Sequence, residues 1–269
     1  MDFEEFLREV APLLGLQWRP FKRGGIRRKV ERRIAEIGLS RFEEYLSKVR
    51  KDSAEQNRLS QFLTVTISRF FRDREVWGAL RSSILPTILK EKHHGDLKIW
   101  SIGCASGEEP YSISLLWKEA SEEGWPQIHL SVLATDINEN LLERAREGRY
   151  KGSSLKEVSE RALRDFFNID SGSYLLDRTI RESVEFRKHD LIREGPFSDM
   201  DIVFCRNLAF SYFSKEAQTD VSKKIGASLR EGGYLVIGKD ESLPLAYPTL
   251  FIPVFPTEKI YQKFNLNLR

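Results

Sequence analysis

From about residue 95 onward the chain alternates short apolar runs with helical patterns, and this feature restricts its fold more than any other. LKIWSIG (97–103) reads as a buried strand, followed by a glycine-bearing loop and a helix through Leu115 and Leu116. HLSVLATD (129–136) is the next strand and NENLLERAREG (138–148) the next helix. VEFRKHD (184–190) and DIVFCRN (201–207) are further strands. KEAQTDVSKKIGASLR (215–230) reads as a helix, and a Gly232-Gly233 turn leads into the strand YLVIG (234–238). FIPVFPTEKIYQKF reads as a β-hairpin at a sheet edge. Parallel neighbours need crossover connections, usually helical. Alternation of this length therefore predicts a doubly wound α/β domain, with helices on both faces of a mostly parallel sheet. We place it over 65–269. The stretch 150–183 is less regular, with a helix near 156–167 and a short strand near 173–180, and reads as a small subdomain.

Before residue 65 apolar residues recur at helical spacing. Phe3, Phe6, Leu7 and Val10 form one stripe, Ile26, Val30, Ile34 and Ile37 a second, and Phe42, Tyr45, Leu46 and Val49 a third. Gly38 suits a helix C-cap, and Ser40 with Glu43 three residues on suits a capping box. Residues 1–64 are thus expected to form a small all-helical domain. At 41% hydrophobic and 31% charged the chain has an ordinary globular composition, and its net charge of +3 leaves nucleic acid undecided. The two cysteines, Cys104 and Cys205, have no metal-like spacing and read as small buried residues. His93-His94 reads as an exposed loop, so no metal is expected. The opening MDFEEFLREV is acidic and amphipathic, unlike a signal peptide. No apolar run approaches the ~20 residues of a membrane span. A cytoplasmic protein without membrane insertion is expected.

Gly103-Cys104-Ala105-Ser106-Gly107 stands where the first strand of such a sheet ends. Glycines there let the backbone turn sharply and approach a ligand, so Gly103 and Gly107 are candidate cofactor contacts. A tight strand–helix turn would use the same residues. The next strand ends in Asp136, about thirty residues on, the spacing of a βαβ unit. An acid at that position is the usual contact for ribose hydroxyls. NAD is one candidate ligand, but the middle glycine of its fingerprint is Ala105 here. Glu108 and Glu109 at the helix start would also repel a pyrophosphate. They suit a ligand with positive charge, as in the sulfonium and ammonium of S-adenosylmethionine (SAM), although helix-dipole capping also places glutamates there.

Five segments are more specific: ISRFFRD (67–73), WSIGCASGEEPYSIS (100–114), LATDINENLLERAREGRY (133–150), PFSDMDIVFCRNLAFSYF (196–213) and GGYLVIGKDESLP (232–244). With RRKVERRIAEIGLSRFEEYL in the front, the chain resembles the CheR family over nearly its whole length. These SAM-dependent methyltransferases esterify glutamates on bacterial chemotaxis receptors. The resemblance implies a Rossmann-like class I methyltransferase domain that uses SAM and releases S-adenosylhomocysteine. It implies that Thr66, Ser68 and Arg72 line the SAM pocket, that Glu109 binds the ammonium and that Asp136 holds the ribose. Asp190 and Leu191 would flank the adenine, and Arg206 and Asn207 would close the pocket. The chain departs from the family pattern at Thr66 and Ser68, at Asp190, at Lys239-Asp240-Glu241, and in one extra residue between Asn207 and Tyr212.

Methyl transfer from a sulfonium is an in-line displacement, and a glutamate with a pKa of about 4.3 is already the nucleophile at neutral pH. No general base is required; alignment and water exclusion are. Arg72 would fork onto the acceptor carboxylate and Tyr212 would donate to it. The plainer alternatives are a salt bridge of Arg72 with Asp73 or Glu75, and a half-buried helix aromatic at Tyr212. Arg19 to Arg33 holds eight Lys or Arg residues and one acid. The resemblance implies that it faces an acidic partner, a chemoreceptor cytoplasmic helix. A solvated helix face is the alternative. Nucleic acid is disfavoured because the chain has Cys205-Arg206-Asn207 where amino-directed nucleic-acid methyltransferases carry a Pro-Pro-aromatic motif. Two further functions stay open: a CheR-like enzyme retargeted to a small molecule or another side chain, and a SAM-binding sensor or scaffold without catalysis.

Overall fold

The computed structural model describes residues 1–16, 24–63, 68–92, 95–122, 128–244 and 250–264. Four helices open the chain: α1 (Phe3–Leu13), α2 (Gly24–Glu36), α3 (Phe42–Lys51) and α4 (Ser53–Leu63). Asp2 caps α1, its side chain accepting from the Glu5 amide while the Glu5 carboxylate accepts from the Asp2 amide, each at 2.8 Å. Gly38, at φ +73°, ends α2 as expected, and the next amide, that of Leu39, returns to the Ile34 carbonyl at 2.9 Å. The capping box expected at Ser40 does not form. Arg41 holds the cap position of α3 without a side-chain bond to the helix amides, Glu44 accepts from the Ser40 amide, and Glu43 pairs with the amino terminus. The helix starts one residue later than a Ser40 cap would require.

Glu55 is buried where α2, α3 and α4 meet. It accepts from Arg33 Nε and Nη2 at 2.9 and 2.8 Å and from the Tyr45 hydroxyl at 2.8 Å. The Arg33 guanidinium holds the Glu55 carboxyl below its usual range, while burial raises the Tyr45 phenol. Arg33 therefore belongs to the interior, not to the solvated basic face.

After α4 come α5 (Arg74–Ala79), a π-helical turn (Leu80–Ile84) and α6 (Leu85–Glu91). The main alternation follows: β1 (Leu97–Ile102), α7 (Glu108–Glu122), β2 (Leu130–Asp136) and α8 (Glu139–Glu147). The irregular stretch holds β3 (Arg149–Tyr150), α9 (Glu160–Phe166), β4 (Phe167–Asp170), β5 (Ser173–Leu176) and α10 (Arg178–Glu182). Here α9 starts later and β5 ends earlier than the sequence suggested, and β3, β5 and β4 form a separate three-stranded antiparallel sheet. The chain closes with β6 (Val184–Lys188), β7 (Met200–Cys205), α11 (Ala209–Tyr212), α12 (Lys215–Ser228), β8 (Leu229–Ile237), β9 (Phe251–Phe255) and β10 (Ile260–Lys263). Gly232 and Gly233 are not a turn before the last parallel strand but lie inside β8, beside a register irregularity against β7. A Cβ on Gly233 would meet the Arg230 and Asp201 carbonyls at 3.0 and 3.1 Å, so close backbone approach explains that glycine.

The main sheet has seven strands in the order β6-β2-β1-β7-β8-β10-β9. The first five are parallel, and β10 and β9 form the expected antiparallel hairpin at the edge. Strand order reverses between β1 and β7, and crevices outside the carboxyl ends at such a point receive ligands. Side chains alternate between two cores. Ile99, Val132, Ile202 and Val236 pack with α5 to α7 on one face. Trp100, Leu133, Val203 and Leu235 pack on the other, in one continuous core with α12 and the front helices. Among the described residues no helix is long and apolar enough to cross a membrane.

Replacing Glu55 by Ala strands a buried phenol and leaves the Arg33 guanidinium with only its longer contact to Glu36, at 3.4 Å, of the two carboxylates it holds. Urea unfolding should show a loss of about 3 kcal/mol, the low end for a broken buried pair because Arg33 keeps some solvent. Glu55→Gln should lose less, and the denaturant slope should not change.

Candidate active site

The loop from β1 to α7 is built around positive backbone angles, φ +68° at Gly103, +50° at Ala105 and +91° at Gly107. The Gly103 and Cys104 amides donate to the Thr135 carbonyl at 2.7 and 3.0 Å, which fastens the loop to β2. A Cβ on Gly103 would stand 2.5 Å from Leu208 Cδ2 and push that side chain aside, and the positive φ itself favours glycine. Gly107 has another task. A Cβ there would meet the Ala145 Cβ at 2.9 Å and the Tyr111 ring at 3.0 Å. It allows α7 to pack closely against α8, and of the two glycines Gly103 is the one on the cavity wall.

Asp136 ends β2 beside this loop. Its Oδ2 accepts from the Ala105 amide at 3.0 Å and its Oδ1 from the Asn138 amide at 2.9 Å. Each carboxylate oxygen has a second acceptor site, so both remain able to take a ligand hydroxyl. Burial pushes the Asp136 carboxyl up, against the pull of those amides.

A cavity of about 410 Å³ opens at the switch point, within the range of small-ligand sites. It brings together Ser68, Arg72, Gly103, Glu109, Asp136, Asp190, Leu191, Arg206, Asn207 and Tyr212. Thr66 lies outside the described residues, as do His93 and His94. The sequence carried no signal for the rest of the wall. Leu13 to Leu16 and Gln56, Asn57, Ser60 and Gln61 of the front helices line it too. Leu16 bridges to Phe213, and the Ser214 amide donates to the Gly15 carbonyl at 2.9 Å. The front therefore shares the cavity. Of its basic segment, Arg19, Lys22 and Arg23 lie outside the described residues, and the expectation that the segment serves the acceptor falls, among the described residues, on the exposed face of α2.

Glu109 is the central group. Its Oε1 accepts from the Ser101 hydroxyl at 2.8 Å and its Oε2 from Arg206 Nη1 at 3.3 Å. Burial raises the Glu109 carboxyl, and Arg206 and Ser101 oppose that rise. Glu108 faces elsewhere. It is buried against the Ser106 hydroxyl, burial raises it as well, and it does not line the cavity. Consecutive helix residues point about 100° apart, so the charge argument rests on Glu109 alone.

The other Arg206 nitrogen, Nη2, donates to the Asp73 carboxylate and, at 2.9 Å, to the Arg72 carbonyl. That carbonyl also accepts from Trp77 Nε1 at 3.0 Å. Phe71 and Asp73 have φ of +50° and +59°, a strain of about 1–3 kcal/mol each. The Arg206 clamp and the Phe71 amide, bonded to the Ser112 hydroxyl at 2.9 Å, hold the segment in that form. Arg206 is thus a brace between two acids.

Asp190 shapes the turn after β6, accepting from the Ile192 and Arg193 amides at 3.0 and 3.2 Å. Lys224 ties down the same turn through the carbonyls of Leu191, Ile192 and Glu194. Arg193 Nη2 reaches the Gln56 Oε1 of α4 at 2.7 Å, joining the turn after β6 to the front helices. Cys104 and Cys205 are buried, and burial pushes both thiols up. Among the described residues no group of three or more metal-ligating side chains gathers.

A family model described as "CheR methyltransferase, SAM binding domain" matches residues 66–260, and one described as "CheR methyltransferase, all-alpha domain" matches residues 1–64. The chain belongs to the CheR methyltransferase family. A protein of Listeria monocytogenes named "Chemotaxis protein methyltransferase" is 32% identical over 242 residues, 90% of each chain. "Chemotaxis protein methyltransferase 2" of Vibrio cholerae is 30% identical over 251 residues, 90% of this chain and 85% of that one. A third, from Borreliella burgdorferi and also named "Chemotaxis protein methyltransferase", is 28% identical over 226 residues, 80% of each. This CheR-family chain is a SAM-dependent methyltransferase. The cavity suits that ligand, because the half-buried Glu109 carboxylate stands at the start of α7, where a dinucleotide fingerprint would put phosphate.

An ammonium ligand favours ionised Glu109. Affinity for S-adenosylhomocysteine should therefore fall as pH is lowered, and the fall should begin above the usual carboxylate range of about 4.3 because burial raises the group. Calorimetry across pH should show a flatter profile for Glu109→Gln. Asp136→Ala should weaken binding by about 1.5–3 kcal/mol, the worth of hydrogen bonds to a charged group. Normal affinity in that variant would place the ribose elsewhere.

Proposed function

We propose that this CheR-family enzyme methylates glutamate side chains on an acidic helix of a chemoreceptor-like protein. The observation that carries the reading is a cavity in which Arg72 and Tyr212 stand with Glu109 and Asp136 and no general base is needed. The names of the curated relatives point the same way. SAM supplies a methyl group on a sulfonium, an electrophile that a carboxylate attacks directly. Glu109 would take the ammonium and Asp136 the ribose hydroxyls. Asp190 and Leu191 would flank the adenine, with Ser68 and Asn207 on the remaining walls; Thr66 belongs to the same set by its place in the motif. Arg72 would fork onto the incoming carboxylate and Tyr212 would donate one hydrogen bond to it. The acceptor arrives ionised and leaves as a neutral ester, so the enzyme's work is alignment and removal of water.

The acidic partner would dock on α2. Arg27, Arg28, Lys29 and Arg32 are exposed there, and α2 packs on α4, whose residues line the cavity. Arg27 pairs with Glu31 on its own exposed face. Arg33 is excluded from this role by its bond to Glu55.

Receptor cytoplasmic fragments incubated with methyl-labelled SAM should acquire label that mild alkali releases as methanol. Alkali-stable label would indicate a retargeted enzyme, and SAM binding without turnover would indicate a sensor. Reversing Arg27, Arg28 and Arg32 to Glu should weaken acceptor use in a salt-dependent way and leave affinity for S-adenosylhomocysteine unchanged. Arg72→Lys keeps the charge and loses the fork. It should lower turnover roughly ten- to a thousandfold, about 1.4–4 kcal/mol, with a much smaller effect on cofactor affinity.

A further inference from the structure

We propose that Glu241 and Ser211 form a positioning pair that fixes the Asn207–Tyr212 wall of the cavity and so sets where the methyl acceptor sits. The proposal rests on the methyl-transfer reading above. Glu241 follows β8, is only 4% exposed and does not itself line the cavity. Its Oε2 accepts from the Gly238 amide at 2.7 Å and the Asn207 amide at 2.8 Å, and its Oε1 accepts from the Ser211 hydroxyl at 2.6 Å. One buried carboxylate thus gathers the end of β8, the turn after β7 and the helix α11.

Each of the three attachments meets a local need. Asn207 has φ +56° and Leu208 has φ −131° and ψ −89°, so the chain leaves β7 through an unrelaxed turn that needs an external acceptor for its amide. Gly238 lets the backbone come in close, since a Cβ there would stand 2.6 Å from Asn207 Nδ2 and 2.7 Å from Glu241 Oε2. The four residues of α11 are far too few to be stable alone. Ala209 and Phe210 are buried on one side, Ser211 is tied to Glu241 on the other, and Tyr212 follows at once on the cavity wall. The extra residue between Asn207 and Tyr212 lengthens this link relative to the family pattern. The Ser211 hydroxyl takes up the slack by anchoring the lengthened helix next to the tyrosine. Ser211 also lines the cavity, but its hydroxyl is committed to Glu241, so both are positioning residues that act through Tyr212 and Asn207.

The test uses the full chain labelled with 3-fluorotyrosine, the Tyr212 fluorine line being assigned by its loss in Tyr212→Phe. Ser211→Ala should leave the dissociation constant of S-adenosylhomocysteine within about twofold and lower kcat/KM for the acceptor by about tenfold, the scale of one lost bond to a carboxylate. Its Tyr212 line should broaden or split. Ser211→Thr, which keeps the hydroxyl, should restore both readouts. Glu241→Gln keeps an oxygen for the two amides and should be milder than Glu241→Ala, which should lose cofactor affinity as well. A Ser211→Ala enzyme with wild-type kinetics and an unchanged fluorine line would overturn the pair. The fluorine line needs no acceptor. A wild-type enzyme that transfers no methyl to a carboxylate would therefore sink the functional reading, while the fluorine line in Ser211→Ala would still support or overturn the pair.

Discussion

The contact between Glu109 and Arg206 at the sheet's switch point is the constraint on which the site depends. Glu109 belongs to the first turn of α7 and Arg206 follows β7, so the pair joins the two halves of the doubly wound sheet where their strand order diverges. Burial alone would favour a neutral Glu109, and Arg206 works against that. The same guanidinium carries Asp73 and the Arg72 carbonyl, and so holds the strained segment that presents Arg72 to the cavity. One buried cation thereby offsets the burial of Glu109 and holds the segment that carries Arg72. Paired interior charges of this kind add little net stability and are costly to break. The brace therefore fits a role in shaping the site better than a role in holding the fold.

The front helices are part of the same construction. Their apolar stripes are buried in one core with the second face of the sheet, and the end of α1 and one face of α4 form cavity wall. The basic face of α2 is therefore mechanically continuous with the cofactor site through α4. A partner held on α2 and a cofactor held by Asp136 and Glu109 would be referred to one rigid body, which a short in-line displacement requires.

Much of this was legible in the sequence because it depends on local pattern. Parallel strands buried on both faces read as apolar runs, and an acid at the end of the second strand stands out at Asp136. Distant packing was not legible. Gly103 and Gly107 look alike in the motif, yet one faces Leu208 at the cavity and the other faces α8. Glu108 and Glu109 are neighbours whose directions are set by helix geometry, and only one reaches the ligand space. Arg33 sits in a basic run but is claimed by Glu55, 22 positions away. Glu241 carried no sign of its role beyond its place in a segment that departs from the family pattern at Lys239 and Asp240, because two of its three partners come from elements 30 and more residues earlier. The lining from α1 and α4 carried no motif, since polar side chains at a domain junction have no periodic signature.

The most direct test of the central claim, that Glu109 is the recognition group for the amino-acid end of the cofactor, is a thermodynamic cycle. S-adenosylhomocysteine would be compared with methylthioadenosine, which keeps the nucleoside and lacks the amino-acid part, on wild type and on Glu109→Gln by calorimetry. The wild-type enzyme should bind S-adenosylhomocysteine more tightly, and the substitution should shrink the gap by about 1.5–3 kcal/mol while barely affecting methylthioadenosine. A gap of unchanged size in Glu109→Gln would contradict the account, because the ammonium would then be held by some other group.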